Sequence, residues 1–161
     1  TRYYSGSSFT DNTRIMVLDT ATGGVLGSVV TVGRYGWAEF TADGTRVVVV
    51  SPAADAGNMT ILDAATGAEV ADADLPGGAV APAQLSFDGT LGVITTTSGD
   101  STKVVVVDTA TGAQIGQTFT VTGLTNTAAR VSRDGASVVL ATSTGNGGAG
   151  YTTKVSTLAI T

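Results

Sequence analysis

The residues of this sequence that could do chemistry are carboxylates and hydroxyls, because the 161-residue chain contains neither cysteine nor histidine. Thiolate nucleophiles, imidazole bases and most transition-metal sites are therefore excluded. Three segments place an Asp four residues before a Gly with a Thr between them: Asp19–Gly23, Asp63–Gly67 and Asp108–Gly112. Calcium would need several such oxygen ligands to converge on one loop. We favour a structural role, in which each Asp accepts hydrogen bonds from the backbone of its own turn and the Gly is left-handed.

The other candidate sites also have structural explanations. Asp72 and Asp74 come closest to a calcium loop, but charged residues suit an exposed outer strand. Asp88 and Asp134 each precede a Gly in a predicted hairpin turn, so nothing pairs them for acid–base catalysis. The segment Gly145–Gly150 is predicted to join two strands, whereas a phosphate cradle requires a helix N-terminus. The sequence thus predicts no catalytic residue, no cofactor and no metal site.

Composition and charge narrow the classes of partner. The net charge is −5, and the eight basic residues are scattered singly, which argues against nucleic-acid binding. Only 13% of the residues are charged, so Thr, Ser, Asn and Gly must provide most of the polar surface. No apolar run approaches the ~18 residues that a transmembrane helix needs, so we do not expect the chain to span a membrane.

Two markers recur along the chain with the same period. The Asp that opens each turn segment lies at Asp19, Asp63 and Asp108, which gives spacings of 44 and 45 residues. A second marker, Asp–Gly, is interleaved with the first at Asp43–Gly44, Asp88–Gly89 and Asp134–Gly135, with spacings of 45 and 46. This period is typical of the four-stranded blades of a β-propeller.

Each repeat divides into four predicted strands, A to D. Strands B and C are apolar on both faces, which requires cover on both sides, and stacked blades supply it. Strand D is more polar and suits an outer edge. Strands B are predicted at Arg46–Val50, Val93–Thr95 and Val138–Leu140, strands C at Ile15–Leu18, Thr60–Leu62 and Val104–Val107, and strands D at Val25–Val30, Glu69–Leu75 and Gln114–Val121.

Strand A directly precedes each Asp–Gly, as in Trp37–Phe40. It carries an apolar residue three positions before the Asp and an Ala five positions before it, which places both side chains on one face. Small residues there suit an inner strand near the propeller axis. The apolar positions are Phe40, Leu85 and Val131, and the Ala positions are Ala38, Ala83 and Ala129.

The sequence predicts an all-β fold of about three and a half four-stranded blades, with pieces at 1–32, 33–76, 77–122 and 123–161. Residues 1–4 align with strand B, so the strand order is BCD, ABCD, ABCD and ABC. An array in this order does not close on itself, so we expect part of a larger propeller of six to eight blades, with seven favoured. We expect the remaining blades on the same polypeptide before Thr1, with a second copy of the chain as the alternative. The isolated chain is not expected to be a stable monomer, because open end faces expose apolar strands.

The repeats resemble the YVTN-type β-propeller repeats of bacterial and archaeal envelope proteins. In that pattern, a strand ending in Val-x-Val-Asp-Thr-Ala-Thr-Gly leads to an Asp-Gly-Thr-Arg turn, as in Val106–Gly112 and Phe40–Arg46. The Tyr-Val-Thr-Asn tetrapeptide itself is absent, and Ala159–Thr161 stands where the last Asp turn would begin. The resemblance implies a propeller of surface-layer-like, cell-wall-associated or binding proteins. Related seven-bladed folds also carry lactonase and quinoprotein activities.

We therefore expect a non-enzymatic scaffold or recognition module of a secreted or cell-envelope bacterial protein, with a protein or glycan ligand. The alternative is a fragment of a lactonase- or quinoprotein-like enzyme whose active-site residues lie outside this chain. A binding face is expected on the B–C loops, because these loops vary in length while the strands do not. The aromatic residues are predicted to fill inter-blade core, with ligand contact as the alternative. The loops are Ser7–Thr13, Ser51–Asn58 and Ser98–Ser101, and the aromatic residues are Tyr3, Tyr4, Tyr35 and Trp37.

Overall fold

A computed structural model describes residues 12–32, 36–52, 56–79, 83–125, 129–145 and 151–160. These residues form fifteen β-strands. None of them forms a helix of the length and hydropathy that could cross a membrane. The strands are β1 Thr13–Leu18, β2 Val25–Val32, β3 Trp37–Phe40, β4 Arg46–Ser51, β5 Ala56–Asp63, β6 Glu69–Pro76, β7 Gly78–Ala79, β8 Gln84–Leu85, β9 Leu91–Ser98, β10 Ser101–Asp108, β11 Gln114–Thr122, β12 Leu124–Thr125, β13 Arg130–Val131, β14 Ser137–Gly145 and β15 Tyr151–Ala159.

The strands form four antiparallel sheets, which we number blades 1 to 4 in chain order. Blade 1 contains β1 and β2, blade 2 contains β3 to β6, blade 3 contains β7 to β11, and blade 4 contains β12 to β15. Blade 2 has the order β3-β4-β5-β6, which is the predicted succession of strands A to D. The prediction of an all-β fold built from four-stranded blades is confirmed. The strand B predicted at residues 1–4 lies outside the described residues.

Strand A is a single strand in blade 2 but is split in blades 3 and 4, which the sequence did not predict. In blade 3, β7 pairs with Thr96 and Thr97 of β9, whereas β8 pairs with Gly92 and Val93 of the same strand. In blade 4, β12 and β13 divide the edge of β14 in the same way. Threonine hydroxyls bond to backbone carbonyls beside the split. In blade 4, the Thr142 hydroxyl donates to the carbonyl of Thr122 over 3.1 Å.

The apolar core lies between blades rather than within them. In blade 2, Val48 and Ile61 pack against blade 3, whereas Val49 and Leu62 pack against blade 1. We call the side of a blade that meets the following blade its leading face, and the opposite side its trailing face. The predicted cover on both sides of strands B and C is confirmed here, because consecutive residues of one strand enter different cores. The residues of β4 and β10 that are buried in this way are Val47, Val48, Val49, Val50, Val104, Val105, Val106 and Val107.

The prediction for the inner strand A holds for blades 3 and 4 and is wrong for blade 2. Ala83 and Ala129 are buried, and Leu85 and Val131 pack against the neighbouring cores. Phe40, in contrast, is 58% exposed. The reason is that Phe40 lines an open cleft beside β1, and blade 1 contributes only β1 and β2 to the described residues.

Adjacent blades also approach closely at their backbones. A Cβ atom added at Gly67, in the C–D turn of blade 2, would collide with the carbonyl oxygen of Leu26 in blade 1. A Cβ atom added at Gly89, in the A–B turn of blade 3, would lie 2.5 Å from the backbone nitrogen of Ala42 in blade 2. Real Cβ atoms do not approach other atoms so closely, so these turns set the distance between blades.

Candidate recognition surfaces

The three Asp-to-Gly segments form the predicted Asx turns between strands C and D. In each turn, the Asp carboxylate accepts hydrogen bonds from the backbone nitrogens two and three residues later, and the Gly has a φ of 71°, 69° or 74°. For Asp108 these acceptor distances are 2.9 Å to Ala110 N and 2.9 Å to Thr111 N. The same carboxylate oxygen accepts from the Thr111 hydroxyl over 3.0 Å. These carboxylates are therefore occupied by their own turns, as predicted.

The Asp–Gly segments between strands A and B form a wider loop than the tight hairpin turn that was predicted. Thr41 N donates to the carbonyl of Arg46, so four residues lie between the paired ends. The Thr41 hydroxyl closes the loop, since it donates to the Asp43 carboxylate over 2.6 Å and accepts from Arg46 N over 3.0 Å. Ser86 and Ser132 make the same pair of contacts in blades 3 and 4. The Gly after each Asp is left-handed.

Hydrogen bonds lower the pKa of every Asp in these two sets of turns. The Thr41 hydroxyl, followed by the backbone N–H and the hydroxyl of Thr45, lowers the pKa of Asp43 from 3.8 to about 2. The Ser86 hydroxyl is the main cause of the lowered pKa of Asp88. Donors that stabilise the charged carboxylate make it harder to protonate. Carboxylates held ionised in this way serve as acceptors for the turn and are poorly suited to general acid catalysis.

These shifts predict a loss of stability in acid. The pKa of Asp43 is lower in the folded chain than in the unfolded chain, so the unfolded chain binds more protons as the pH falls. The stability that this carboxylate provides is complete above about pH 4 and disappears as the pH falls to about 2. Urea unfolding across this range should show the advantage of the wild type over Asp43→Asn shrinking with falling pH. A difference that stays constant would contradict the assignment.

The two ends of the blades differ in how they are built. Antiparallel order places the A–B and C–D turns at one end, which we call the turn end, and the B–C and D–A connections at the other, which we call the loop end. From equivalent pairs at the turn end, the chain advances 17 residues through strand B, its connection and strand C in blade 2 (Arg46 to Asp63) and in blade 3 (Leu91 to Asp108), but 22 in blade 4 (Ser137 to Ala159). The predicted variation in B–C loop length is therefore absent between blades 2 and 3, and the connection of blade 4 is five residues longer than theirs.

Two clefts adjoin blade 1. The larger, of about 540 Å³, is lined by β1 together with Trp37, Ala38 and Phe40. The smaller, of about 300 Å³, lies between β2 and blade 2, and its polar wall includes Thr60. The Thr60 hydroxyl is already engaged, because it lies 3.0 Å from an oxygen of Asp72. Trp37 is half-buried at the edge of the larger cleft. Its side chain therefore only partly fills the core between blades.

Several predicted candidates do not assemble into a chemical site. Within the described ranges, no three His, Cys, Asp or Glu side chains lie close enough to hold a metal ion. Asp72 and Asp74 lie on β6 with exposed side chains, as predicted for an outer strand. Gly145 is the last residue of β14, and the rest of the glycine-rich segment lies outside the described residues. Tyr3, Tyr4, Tyr35 and the loop at 7–11 also lie outside them.

One exposed contact at the turn end has no periodic signal in the sequence. The guanidinium carbon of Arg133 lies 4.9 Å from the ring centre of Phe87, which is 73% exposed. The two residues precede the Asp of consecutive A–B turns, and Ala42 occupies the same position in blade 2. The residue before the Asp is Ala, Phe or Arg in the three turns, so the turn does not depend on its side chain. A repeat pattern therefore cannot reveal this cation–π contact between neighbouring blades.

Comparison with known proteins identifies the class of fold. No protein-family model matches this chain, and neither does any curated protein sequence. Among solved structures, hydrazine synthase of Kuenenia stuttgartiensis is similar with a TM-score of 0.66 and 15% identity, over 92% of this chain and 45% of that protein. The Dos1 propeller is similar with a TM-score of 0.58 and 15% identity, over 83% of this chain and 38% of that one.

BamB from Moraxella catarrhalis is similar with a TM-score of 0.50 and 20% identity, over 83% of this chain and 41% of that protein. The chain therefore spans less than half the length of each of these solved structures. At such identities the likeness establishes the fold alone. The four blades are part of a β-propeller.

Proposed function

We propose that this chain is a non-enzymatic β-propeller scaffold of YVTN-type repeats that recognises a protein or a glycan through its loop end. The observation that carries the proposal is a structural difference between the turn end and the loop end of the blades. The six repeated carboxylates at the turn end are all engaged by their own turns. At the loop end, the B–C connection of blade 4 is five residues longer than those of blades 2 and 3 on a similar scaffold, and rigid folds usually carry their binding sites on such connections.

The YVTN assignment and the location of the protein rest on the sequence. The repeat Val-Asp-Thr-Ala-Thr-Gly at 107–112 and the Asp-Gly-Thr-Arg turn at 43–46 support the repeat type. A sequence with 13% charged residues and many Thr and Gly residues supports a secreted or envelope-exposed bacterial protein. Under this proposal, the larger protein positions the propeller, and the propeller supplies the recognition surface.

A binding experiment with a shortened loop tests the recognition proposal. Thr144 pairs with Thr152 in blade 4 as Ser98 pairs with Ser101 in blade 3, and seven residues connect the first pair whereas two, Gly99–Asp100, connect the second. We expect the wild type to bind one member of a panel of purified peptidoglycan fragments, immobilised glycans and envelope-protein peptides. Replacing 145–151 by Gly-Asp should weaken that binding by about tenfold or more, which corresponds to about 1.4 kcal/mol.

The matched control is Asp43→Asn, which alters the turn end and should leave binding unchanged. Binding that falls equally in both variants would place recognition elsewhere on the chain. Hydrolysis of a lactone panel by the purified chain, absent from a blank, would instead support the enzymatic alternative.

A further inference from the structure

We propose that the smaller cleft, between blades 1 and 2, binds an organic ammonium group, carried either by a free amine or by a lysine side chain of a partner protein. The proposal is separate from the recognition function proposed above, because the cleft lies between the strands of two blades and not on a B–C connection. It starts from a buried hydroxyl that lacks the contact made at the same position of the other repeats.

A hydroxyl near the end of strand B joins neighbouring blades at two junctions. Ser51, Thr96 and Thr142 are each the sixth residue of strand B, in blades 2, 3 and 4. The hydroxyls of Thr96 and Thr142 each donate to a backbone carbonyl of the preceding blade, that of Pro76 and that of Thr122. These bonds close the junction between blades 2 and 3 and the junction between blades 3 and 4.

The Ser51 hydroxyl makes no such bond. Ser51 is 3% exposed and faces blade 1, because it lies two residues after Val49, which packs against that blade. Its hydroxyl forms no hydrogen bond with any residue that the structure describes, and it lines the cleft of about 300 Å³. A buried hydroxyl without a hydrogen bond is costly unless water or a ligand reaches it. The cleft is the place from which a ligand can reach this one.

The cleft lies inside the array, at a junction between two neighbouring blades. One wall is strand D of blade 1, with Val30 and Val32, and the other is the trailing face of blade 2. It is therefore not an outer face of blade 1 or of blade 4. Its volume is at the lower end of the range of roughly 300 to 1,000 Å³ that is usual for small-molecule sites, so it suits a small group.

The charges around the cleft select a cation. The charged side chains that line it are Glu69 and Asp72, and neither forms an ion pair with a described residue. Asp72 keeps one carboxylate oxygen available, because the Thr60 hydroxyl donates to the other over 3.0 Å. Two carboxylates attract an ammonium group, which can donate to both of them and to the Ser51 hydroxyl, more strongly than a neutral or anionic ligand.

The wall contributed by blade 1 suits the aliphatic stem of such a ligand. Val32 is buried and Val30 is half-buried, so methylene groups can pack against them while the ammonium group reaches the carboxylates. A metal ion fits less well, because it needs several oxygen ligands, and within the described ranges no three acidic side chains lie close enough to hold one.

Titration of the full 161-residue chain with cadaverine, followed by amide chemical shifts in NMR spectra, tests the proposal. The largest shifts should lie at Ser51, Asn58 and Thr60, which line the cleft. Ser51→Ala and Glu69→Gln should each weaken binding by about fivefold, through the loss of one hydrogen bond or one exposed ion pair. Raising the salt concentration from about 20 to about 500 mM should weaken binding as well, because exposed charges are screened.

The matched control is Asp74→Asn, which removes a carboxylate from the same strand at a position outside the lining of the cleft. This variant should bind cadaverine like the wild type. N-acetylglucosamine, acetate and calcium chloride are the neutral, anionic and metal probes, and each should bind at least about tenfold more weakly than cadaverine. Circular dichroism and the unfolding midpoint confirm that each variant is folded. The variant with the shortened connection in blade 4 should bind cadaverine normally, so the two proposals fail independently.

A peptide with one internal lysine and blocked ends separates the two sources of the ammonium group. Binding of the peptide at least as tightly as cadaverine assigns a partner's lysine side chain, whereas binding of cadaverine alone assigns a free amine. The proposal is overturned if neither ligand shifts the cleft residues, if Ser51→Ala has no effect, or if Asp74→Asn weakens binding as much as Glu69→Gln. Binding of any of the three other probes as tightly as cadaverine would also overturn it.

Discussion

Replacing Gly67 by alanine is expected to destabilise the chain by about 3 kcal/mol, against about 1 to 2 kcal/mol for the same change at Gly23. The two residues have φ values of 69° and 71°, so both variants strain the backbone equally. Only at Gly67 does the new Cβ atom also collide with the backbone of Leu26 in blade 1, whereas at Gly23 it meets open space. The difference between the variants therefore measures the contact between blades.

Thermal and urea unfolding of the two variants provide the measurement. For a chain of this length, about 3 kcal/mol corresponds to a decrease in Tm on the order of 10 °C. Equal destabilisation by the two substitutions would show that blades 1 and 2 can separate at this turn without cost.

Replacing Val104 by alanine is expected to destabilise the chain by about 2 to 3 kcal/mol, from lost burial and the cavity that remains. The matched control is Val155→Ala, because the two valines occupy the same position in consecutive repeats. Val155 is 67% exposed, and its truncation should change stability by less than about 0.5 kcal/mol.

Urea unfolding at low protein concentration, where self-association does not contribute, makes the comparison. A loss at Val155 as large as that at Val104 would mean that the leading face of blade 4 is buried within the single chain. Little loss at Val104 would instead show that the core between blades 3 and 4 is loosely packed.

The parts of the fold that could be predicted are those specified by local chemistry. An Asp side chain that reaches the amides two and three residues later, followed by a left-handed Gly, needs no information from the rest of the chain. The markers at Asp63–Gly67 and Asp108–Gly112 therefore fixed the period and the turns between strands C and D. Strands that are apolar on both faces, such as Val104–Val107, likewise indicated that the sheets are stacked.

The parts that could not be predicted depend on what lies across a blade junction. Nothing within Trp37–Phe40 distinguishes an exposed Phe40 from the packed Leu85 of the next repeat, because the difference lies in the neighbouring blade. The hydroxyls of Thr41 and Ser86 could have been found, since they recur two residues before each Asp–Gly. The split of strand A could not be found, because it arises from pairing with distant residues of β9.

The position of the cores between blades has a consequence for how such an array grows and shortens. Each blade contributes one half of two different cores, so an excised repeat would take with it two unmatched half-cores and would have no interior of its own. A tandem duplication of one repeat, in contrast, adds one complete junction made from faces that already fit each other. Gene duplication can therefore add a blade whose two faces already match those of its neighbours, while the loop end of the new blade is free to diverge.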